Sequence, residues 1–410
     1  METVQSAGFL DFLSIYNFFD GRHCLGNFCL EIPSWLAYGI AASLLAFIVV
    51  NALVMATALN TWFERRAIGR FQSRLGPNRW GPFGLLQPLA DIIKLATKED
   101  TVPEEADRPV FNVAPVVLLV GTVLGVAVIP FGDDSFLGKL NVGILFILGV
   151  SSVNTIAIIM GGWASRNKYA MLGAMRGVAM LISYEIPMAL AIVGIPLVAG
   201  SLAMSDIVDA QNIPFLLVQP LGFFVFLAAA TAEMSRTPFD QIEAESELGS
   251  GYHTEYSGMK FAVFQLAEFM APIVTAIIVT TLFLSGTRGF SPIPGQIWFI
   301  LKVFLVVFGL LWFRATWPRL RVDQIMQFAW KGLFALALFN IFLIATEVQL
   351  LQDPDTGKLS TDAMWLMAAI NWVVTVAAIV VIANILGQRR LKRPTPVPSP
   401  LANMNPVEAD

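Results

Sequence analysis

The chain has 410 residues, of which 56% are hydrophobic and 14% carry a charge. Soluble domains carry about a quarter charged residues, so this composition excludes an ordinary soluble protein and indicates an integral membrane protein. The net charge of −4 and the confinement of basic runs to predicted membrane flanks exclude nucleic acid as a partner.

The N-terminal segment, residues 1–34, is predicted to lie outside the membrane on the external side. It holds both cysteines of the chain, Cys24 and Cys29, next to His23. Two thiols are too few for an iron–sulfur cluster, which commonly takes four, and we predict no metal site. A disulfide and two unpaired thiols remain the alternatives. The segment lacks the pattern of a cleavable signal peptide.

Nine apolar stretches long enough to cross about 30 Å of hydrocarbon follow along the chain. They cover residues 35–60, 112–131, 142–163, 172–199, 214–234, 261–284, 297–315, 329–350 and 364–386. The sequence therefore predicts an all-α, polytopic membrane protein with about nine transmembrane helices. The ninth is an extra C-terminal helix within residues 351–387. The tail, residues 388–410, contains PTPVPSP and is predicted to be disordered.

The distribution of lysine and arginine predicts the orientation of these spans. The loops after the first, third, fifth, seventh and ninth spans hold 21 of these residues, against four on the other side. Because cytoplasmic loops carry the excess of positive charge, we expect an external N-terminus and a cytoplasmic C-terminus. An odd number of spans is needed for this pattern.

The first cytoplasmic loop, residues 61–111, divides into three parts. Arg66, Arg70 and Arg74 are spaced by four, so a helix would place them on one face, where they could contact anionic headgroups. GPNRWGPFG then interrupts the helical pattern. An amphipathic stretch follows, which predicts a helix lying in the membrane interface; its apolar positions are Leu85, Leu89, Ile92, Ile93 and Ala96.

The second long cytoplasmic loop, residues 233–260, is acidic on a side where basic residues prevail. Its carboxylates are Glu233, Asp240, Glu243, Glu245, Glu247 and Glu255. If residues 238–248 are helical, Asp240, Glu243 and Glu247 share one face and titrate as a coupled set. The alternative is that Thr237-Pro238-Phe239-Asp240 begins a helix whose first turn favours acidic residues. Capping leaves Glu245, Glu247 and Glu255 unexplained.

Two further carboxylates lie within predicted spans, Glu185 in LISYEIPMAL and Glu268 in FQLAEFMAPI. A charged group at mid-membrane costs on the order of 3 kcal/mol, and such residues commonly mark ion or proton paths. The alternative for Glu185 is a neutral side chain bonded to a carbonyl that Pro187 leaves free. The two glutamates together with the acidic loop favour a proton path.

Two long motifs resemble a known family, the H-type membrane subunit of proton-pumping NADH:quinone oxidoreductase, respiratory complex I. ERRAIGRFQSRLGPNRWGPFGLLQPLADIIKLATKED resembles the first signature of that family. EMSRTPFDQIEAESELGSGYHTEYSGMKF resembles its second. The resemblance covers residues 35–350, the expected family core.

The resemblance implies a quinone-binding chamber and the start of a proton path. By motif, Glu64, Arg65 and Arg74 would lie near the quinone entrance, and Arg236 and Asp240 would line the chamber floor. The proton path would comprise Glu185, Glu233, Glu243, Glu245, Glu247, Glu255 and Glu268.

The resemblance also implies a subunit that performs no covalent catalysis. Quinone would be its substrate, and flavin and iron–sulfur clusters would be held by partner subunits of a membrane arm and a peripheral arm. Membrane lipids would be further partners, in the inner membrane of a prokaryote. One alternative is the homologous subunit of a membrane-bound hydrogenase or another donor:quinone oxidoreductase. A stand-alone proton-coupled transporter is less favoured, because the sequence lacks internal repeats.

Overall fold

The structure is a computed structural model that describes residues 22–25, 28–31, 34–131, 140–242, 249–289, 293–352 and 359–391. Its long helices are α1 (Ser34–Phe71), α2 (Gln87–Thr97), α3 (Arg108–Leu124), α4 (Gly143–Ala164) and α5 (Lys168–Ala199) in the first half. The second half contains α6 (Met204–Ala210), α7 (Phe215–Val218), α8 (Pro220–Glu233), α9 (Gly258–Phe283), α10 (Gly295–Thr316), α11 (Val322–Gln327), α12 (Phe334–Leu351) and α13 (Thr361–Leu391).

Shorter elements accompany these helices. Strands β1 (Arg22–Leu25) and β2 (Phe28–Glu31) form an antiparallel hairpin, in which Cys24 is opposite Cys29 along the backbone. Single 3-10 turns lie at Pro82–Gly84 and Gly251–His253. A π-helical turn, Phe328–Leu333, joins α11 to α12. Apart from the hairpin and one isolated bridge, the described ranges are helices and their connections, which confirms the predicted all-α class.

Seven helices of the described chain are long and apolar enough to cross a membrane. They are Tyr38–Phe71, Gly143–Ala164, Lys168–Ala199, Gly258–Phe283, Gly295–Thr316, Val322–Leu351 and Thr361–Val381. The two other predicted spans coincide with shorter apolar helices, α3 and α8. The class of polytopic membrane protein is therefore confirmed, and the count of nine stays a prediction.

Helix α5 is the centre of the bundle and packs against α4, α8 and α12. In its most apolar stretch, 61% of residues are buried, against 17% for α1 and α10. Pro187 and Pro196 lie inside α5. Membrane helices tolerate such prolines when neighbouring groups form hydrogen bonds with the freed carbonyls. Gly162 of α4 allows close packing on α5, since a Cβ there would lie 2.3 Å from that of Ala174.

Helix α1 continues eleven residues past its predicted end at residue 60 and ends at Phe71. Ser73 then adopts a left-handed conformation with φ 54°, and the amide of Arg74 donates to the carbonyl of Gly69 at 2.8 Å. This pattern is a Schellman termination. The predicted helical stripe is therefore wrong for Arg74, which lies beyond the helix on an exposed turn.

The predicted amphipathic helix is confirmed as α2. Leu89, Ile92 and Ile93 are about half exposed, and none of its residues is buried. Arg65 of α1 holds α2 through Asp91, with 2.6 Å between guanidinium and carboxylate. The connection between α1 and α3 thus contains a short helix whose apolar face is about half exposed.

The predicted helix over residues 238–248 is wrong where the structure describes it. Residues 238–242 form turns and extended backbone. The amide of Leu320 donates to the carbonyl of Pro238 at 3.1 Å, and Gln241 donates to the carbonyl of Leu320 at 2.5 Å. Tertiary hydrogen bonds to the segment after α10 replace the local bonds that a helix would make. Residues 243–248 lie outside the described residues.

Candidate functional site

Glu64 is the centre of a buried ionic cluster at the end of α1. It is 4% exposed and contacts two guanidinium groups: Arg236 lies 3.3 Å away, and Arg314 contacts the same carboxylate oxygen. Glu64 and Arg236 are 172 positions apart in the sequence. Buried charges persist when they are paired in this way.

Arg236 extends the cluster towards α9. Its Nη2 lies 3.9 Å from Oε1 of Glu268, and its guanidinium stacks 4.7 Å above the ring of Phe269. Gln265 also donates to Glu268 at 3.3 Å. Two glutamates and two arginines therefore alternate in space with balanced charge, and we call Glu64, Arg314, Arg236 and Glu268 the charged row.

Three cavities follow the charged row into the bundle. A cavity of about 20 Å³ lies beside Glu64, Arg236 and Arg314. A second of about 70 Å³ is lined by Glu233 and Glu268, and a third of about 90 Å³ also contains Glu233. The larger two share six lining residues, and all three include Met234. These volumes suit water molecules in contact with polar groups.

Glu185 of α5 lies at the far side of these cavities. The hydroxyl of Ser151 is 3.5 Å from its carboxylate, and Ser152 donates to the same oxygen. Ser151 also lines both larger cavities. Glu233 lines the same two cavities. Ser151 thus links Glu185 to the cavities that Glu233 lines, and the assignment of both glutamates to a proton path stays a prediction.

Asp240 lies beside the segment that follows α10. Its carboxylate is 3.6 Å from the guanidinium of Arg319. The side-chain amide of Gln241 donates to the carbonyl of Leu320 in the same segment, so residues 238–242 pack against residues 317–321. Asp240 and Arg236 therefore belong to one loop but pair with different residues. Asp240 contacts Arg319, whereas Arg236 contacts Glu64 and Glu268.

Glu255 lies apart from the charged row. It accepts a 2.6 Å hydrogen bond from Asn167, at the start of α5. The neighbouring Tyr256 stacks on Phe111 with ring centroids 3.9 Å apart, and burial raises the pKa of its phenol. Lys260 forms a 2.8 Å ion pair with Asp100. This region joins three connecting segments, and the structure describes no contact of Glu255 with the row.

The other predicted residues lie at the surface or outside the described residues. Arg65 is exposed and pairs with Asp91. Arg74 is exposed on the turn after α1. The acidic-loop residues Glu243, Glu245 and Glu247 lie outside the described residues, so their predicted clustering stays a prediction.

Several residues in and around the charged row were not among the predicted site residues. Arg314 and Arg319 occur in RATWPRLR, which offered a signal because arginines at the end of an apolar span seek carboxylates. Ser151 and Ser152 occur in LGVSSVNT, a polar interruption of an otherwise apolar helix. Asn154 of the same stretch lines both larger cavities.

The geometry allows proton transfer along the row, because its carboxylates lie beside water-sized cavities. Carboxylates and water-sized cavities alternate from Glu64 to Glu185. Within the described ranges, no three side chains of His, Cys, Asp or Glu come together to hold a metal ion. The expectation that partner subunits hold the redox cofactors stays a prediction.

Comparison with known proteins identifies the family. A family model described as NADH dehydrogenase matches residues 43–345. An H subunit of NADH-quinone oxidoreductase from Dehalococcoides mccartyi strain CBDB1 is 53% identical over 317 residues, 77% of this chain and 88% of its own length. A protein of the same name from Bacillus thuringiensis strain Al Hakam is 49% identical over 324 residues, 77% of this chain and 96% of its own length.

These matches confirm the family resemblance carried by the two sequence motifs, and they favour neither the hydrogenase nor the transporter alternative. Together with the apolar helices and the buried charged row, they lead to one assignment. The chain belongs to the NADH dehydrogenase family, and its relatives are named as H subunits of NADH-quinone oxidoreductase.

Proposed function

We propose that this chain is the membrane subunit of a proton-translocating NADH:quinone oxidoreductase that forms part of the quinone chamber and begins the proton path. The observation that carries the proposal is the charged row. Glu64, Arg314, Arg236 and Glu268 come from four separate parts of the chain and meet in a largely buried, charge-balanced contact. Such an arrangement responds to a nearby change of charge, because each ion depends on its neighbours for compensation.

The quinone is proposed to lie against the chain rather than inside it. The three cavities measure about 20, 70 and 90 Å³, whereas pockets for organic ligands measure about 300–1,000 Å³. A partner subunit therefore has to complete the chamber. The surface near the end of α1 supplies one wall, where Arg66 stacks on Trp62 and Phe83 at 5.5 and 5.1 Å. Arg65 and Arg74 would lie at its entrance and Asp240 at its floor.

The proton path is proposed to run from the charged row through the two larger cavities to Glu185. Reduction of quinone adds negative charge near Glu64 and Arg236. That charge would shift proton occupancy at Glu268, Glu233 and Glu185, since coupled sites titrate together. The acidic loop, with Glu243, Glu245, Glu247 and Glu255, would relay the change from the chamber. No residue of this chain would bond covalently to the quinone.

The proposed orientation in the membrane follows from the charge distribution of the sequence. The loops within residues 61–111 and 233–260 would face the cytoplasm, where a peripheral arm delivers electrons from NADH. The uncovered faces of α1 and α10 would contact lipids and other membrane-arm subunits. The chain would lie in the inner membrane of a prokaryote with its N-terminus outside.

The test is purification of the complex from native membranes through an affinity tag at the C-terminus of this chain. We expect a flavin-containing NADH module to copurify and the preparation to reduce quinone with NADH. In proteoliposomes the turnover should move protons across the membrane. A copurifying nickel–iron subunit with hydrogen-dependent activity would replace the proposal by the hydrogenase alternative. Transport activity of the isolated chain would replace it by a transporter.

A further inference from the structure

A second group of buried polar side chains lies away from the charged row, where α8 begins. Its members are Gln219, Asn340, Glu347 and Asn371, and each is at most 8% exposed. Asn340 and Glu347 are seven positions apart in α12, so they share one face. Gln219 lies at the break between α7 and α8, and Asn371 belongs to α13. Three parts of the chain bring these side chains together.

Asn371 connects the carboxyl group to the helix break. Its Nδ2 donates to Oε2 of Glu347 at 2.7 Å and to the carbonyl of Val218 at 2.9 Å. Val218 is the residue immediately before Gln219. One amide therefore bridges α12, α13 and the end of α7.

Two glycines leave room for the amides of Gln219 and Asn340. A Cβ at Gly222 would lie 2.9 Å from Nδ2 of Asn340 and 3.4 Å from Oε1 of Gln219. A Cβ at Gly194 would lie 2.6 Å from the same Gln219 oxygen. The two amides are therefore neighbours, and they pack against the backbone of Gly194 and Gly222, where a side chain would clash with them.

Five atoms of this group have no hydrogen-bond partner among the described residues. They are both amide atoms of Gln219, both amide atoms of Asn340, and Oε1 of Glu347. Buried polar atoms are almost always bonded, since an unmade bond is costly. The amides of Gln219 and Asn340 are neighbours, and Asn371 connects Glu347 to the same helix break. Water molecules, each of which needs two to four polar partners, can bind between these atoms.

Among the side chains that the structure describes, no counter-ion of Glu347 lies on the helices packed around it. In the described chain, the charged residues of these elements are Lys168, Arg176 and Glu185 on α5, Glu233 on α8, Lys260 and Glu268 on α9, Lys331 in the π-helical turn, and Asp362, Arg389 and Arg390 on α13. Glu185 is nine residues from Gly194, and Asp362 is nine residues from Asn371, roughly 13 Å of helix rise each. A buried carboxylate with one neutral donor is best compensated by a proton.

We propose that Glu347, Asn371, Gln219 and Asn340 form a second, hydrated proton-binding site. Glu347 holds the proton, Asn371 orients its carboxyl group, and the amides of Gln219 and Asn340 bind the water. Helix α13 completes the site, and Asn371 lies beyond residues 43–345 that match the family model. The site is separate from the charged row and does not depend on quinone binding.

Infrared spectroscopy of the assembled complex tests this proposal in H₂O and D₂O. Subtracting the spectrum of the Glu347→Gln complex from that of the wild type should leave the carbonyl stretch of a protonated carboxylic acid, which moves to lower wavenumber in D₂O. The exposed Glu104 supplies a matched control, and Glu104→Gln should leave that band in place. If this difference spectrum shows the bands of an ionised carboxylate and no acid band, the proposal is overturned.

Asn371→Ser provides the second variant, and it decides the matter if Glu347→Gln does not assemble. It retains the carboxyl group but removes the donor at Oε2 of Glu347. The acid band should move to higher wavenumber, because the carbonyl loses a hydrogen bond. An acid band unchanged in position would show that Glu347 is not its source and would refute the site.

Discussion

Arg236 illustrates how one residue joins regions that are distant in the sequence. Its guanidinium lies 3.3 Å from Glu64 and 3.9 Å from Glu268, and it is 9% exposed. Removing one partner of a buried pair costs about 3–5 kcal/mol, because the other charge stays buried without compensation. Arg314 still contacts Glu64 in the absence of Arg236. The carboxylate that loses its contact with a guanidinium in this variant is therefore that of Glu268.

We predict that Arg236→Gln lowers the thermal inactivation temperature of the complex and that adding Glu268→Gln recovers part of the loss. The double variant removes both members of the pair, so no unpaired charge remains between them. Inactivation midpoints of the two single variants and the double variant form the cycle. Strictly additive losses would contradict the proposed dependence of Glu268 on Arg236.

We predict that Glu185→Gln lowers quinone reduction and proton pumping together, by about tenfold, which corresponds to about 1.4 kcal/mol in the barrier. The amide keeps hydrogen bonding to Ser151 and Ser152 but cannot exchange a proton. Assembly should be retained. Turnover and proton uptake are measured in the same proteoliposomes, with Glu104→Gln as the control. Normal rates in Glu185→Gln would remove Glu185 from the path.

At the scale of elements, α2 is a helix whose apolar face is about half exposed in the described chain. It is tied to α1 by the partly exposed pair of Arg65 and Asp91, and such pairs contribute about 0–1 kcal/mol. Insertion of its apolar face into the membrane interface would then position α2 more strongly than the ion pair does.

We predict that Ile93→Asp raises the KM for a long-tailed quinone by about tenfold or more, since burial of an isoleucine side chain contributes about 1.5–3 kcal/mol. A short-tailed, water-soluble quinone should be affected less. Steady-state kinetics with both quinones measure the difference, and Lys94→Gln on the exposed polar side of α2 is the matched control. Equal effects on both quinones would argue against a role for α2 at the membrane entrance.

The acidic loop shows where local patterns failed. Thr237-Pro238-Phe239-Asp240 has the composition of a helix start, yet residues 238–242 are not helical. Asp240 instead meets Arg319, and the loop bonds to Leu320. Local capping contributes about 1 kcal/mol, so a partly exposed ion contact, one backbone hydrogen bond and one side-chain hydrogen bond to a distant segment together outweigh it.

At the scale of the whole molecule, the predicted orientation has a direct test. We predict that a cysteine at Glu105, in a chain with Cys24→Ser and Cys29→Ser, reacts with a membrane-impermeant thiol reagent only in inverted vesicles. Glu105 is exposed in the segment between α2 and α3, and the charge distribution predicts that this segment lies in the cytoplasm. Labelling in intact cells would reverse the proposed topology.

The sequence by itself determined the membrane class, the position of the apolar helices, the amphipathic α2 and the family. These properties depend on composition, periodicity and long local motifs. Only the tertiary structure decided which charges meet: Glu64 with Arg236 and Arg314, Asp240 with Arg319, and Glu185 with Ser152. The physical reason is that such pairs depend on how helices cross and where they break, and in an apolar bundle each buried charge takes the partner that packing brings within reach.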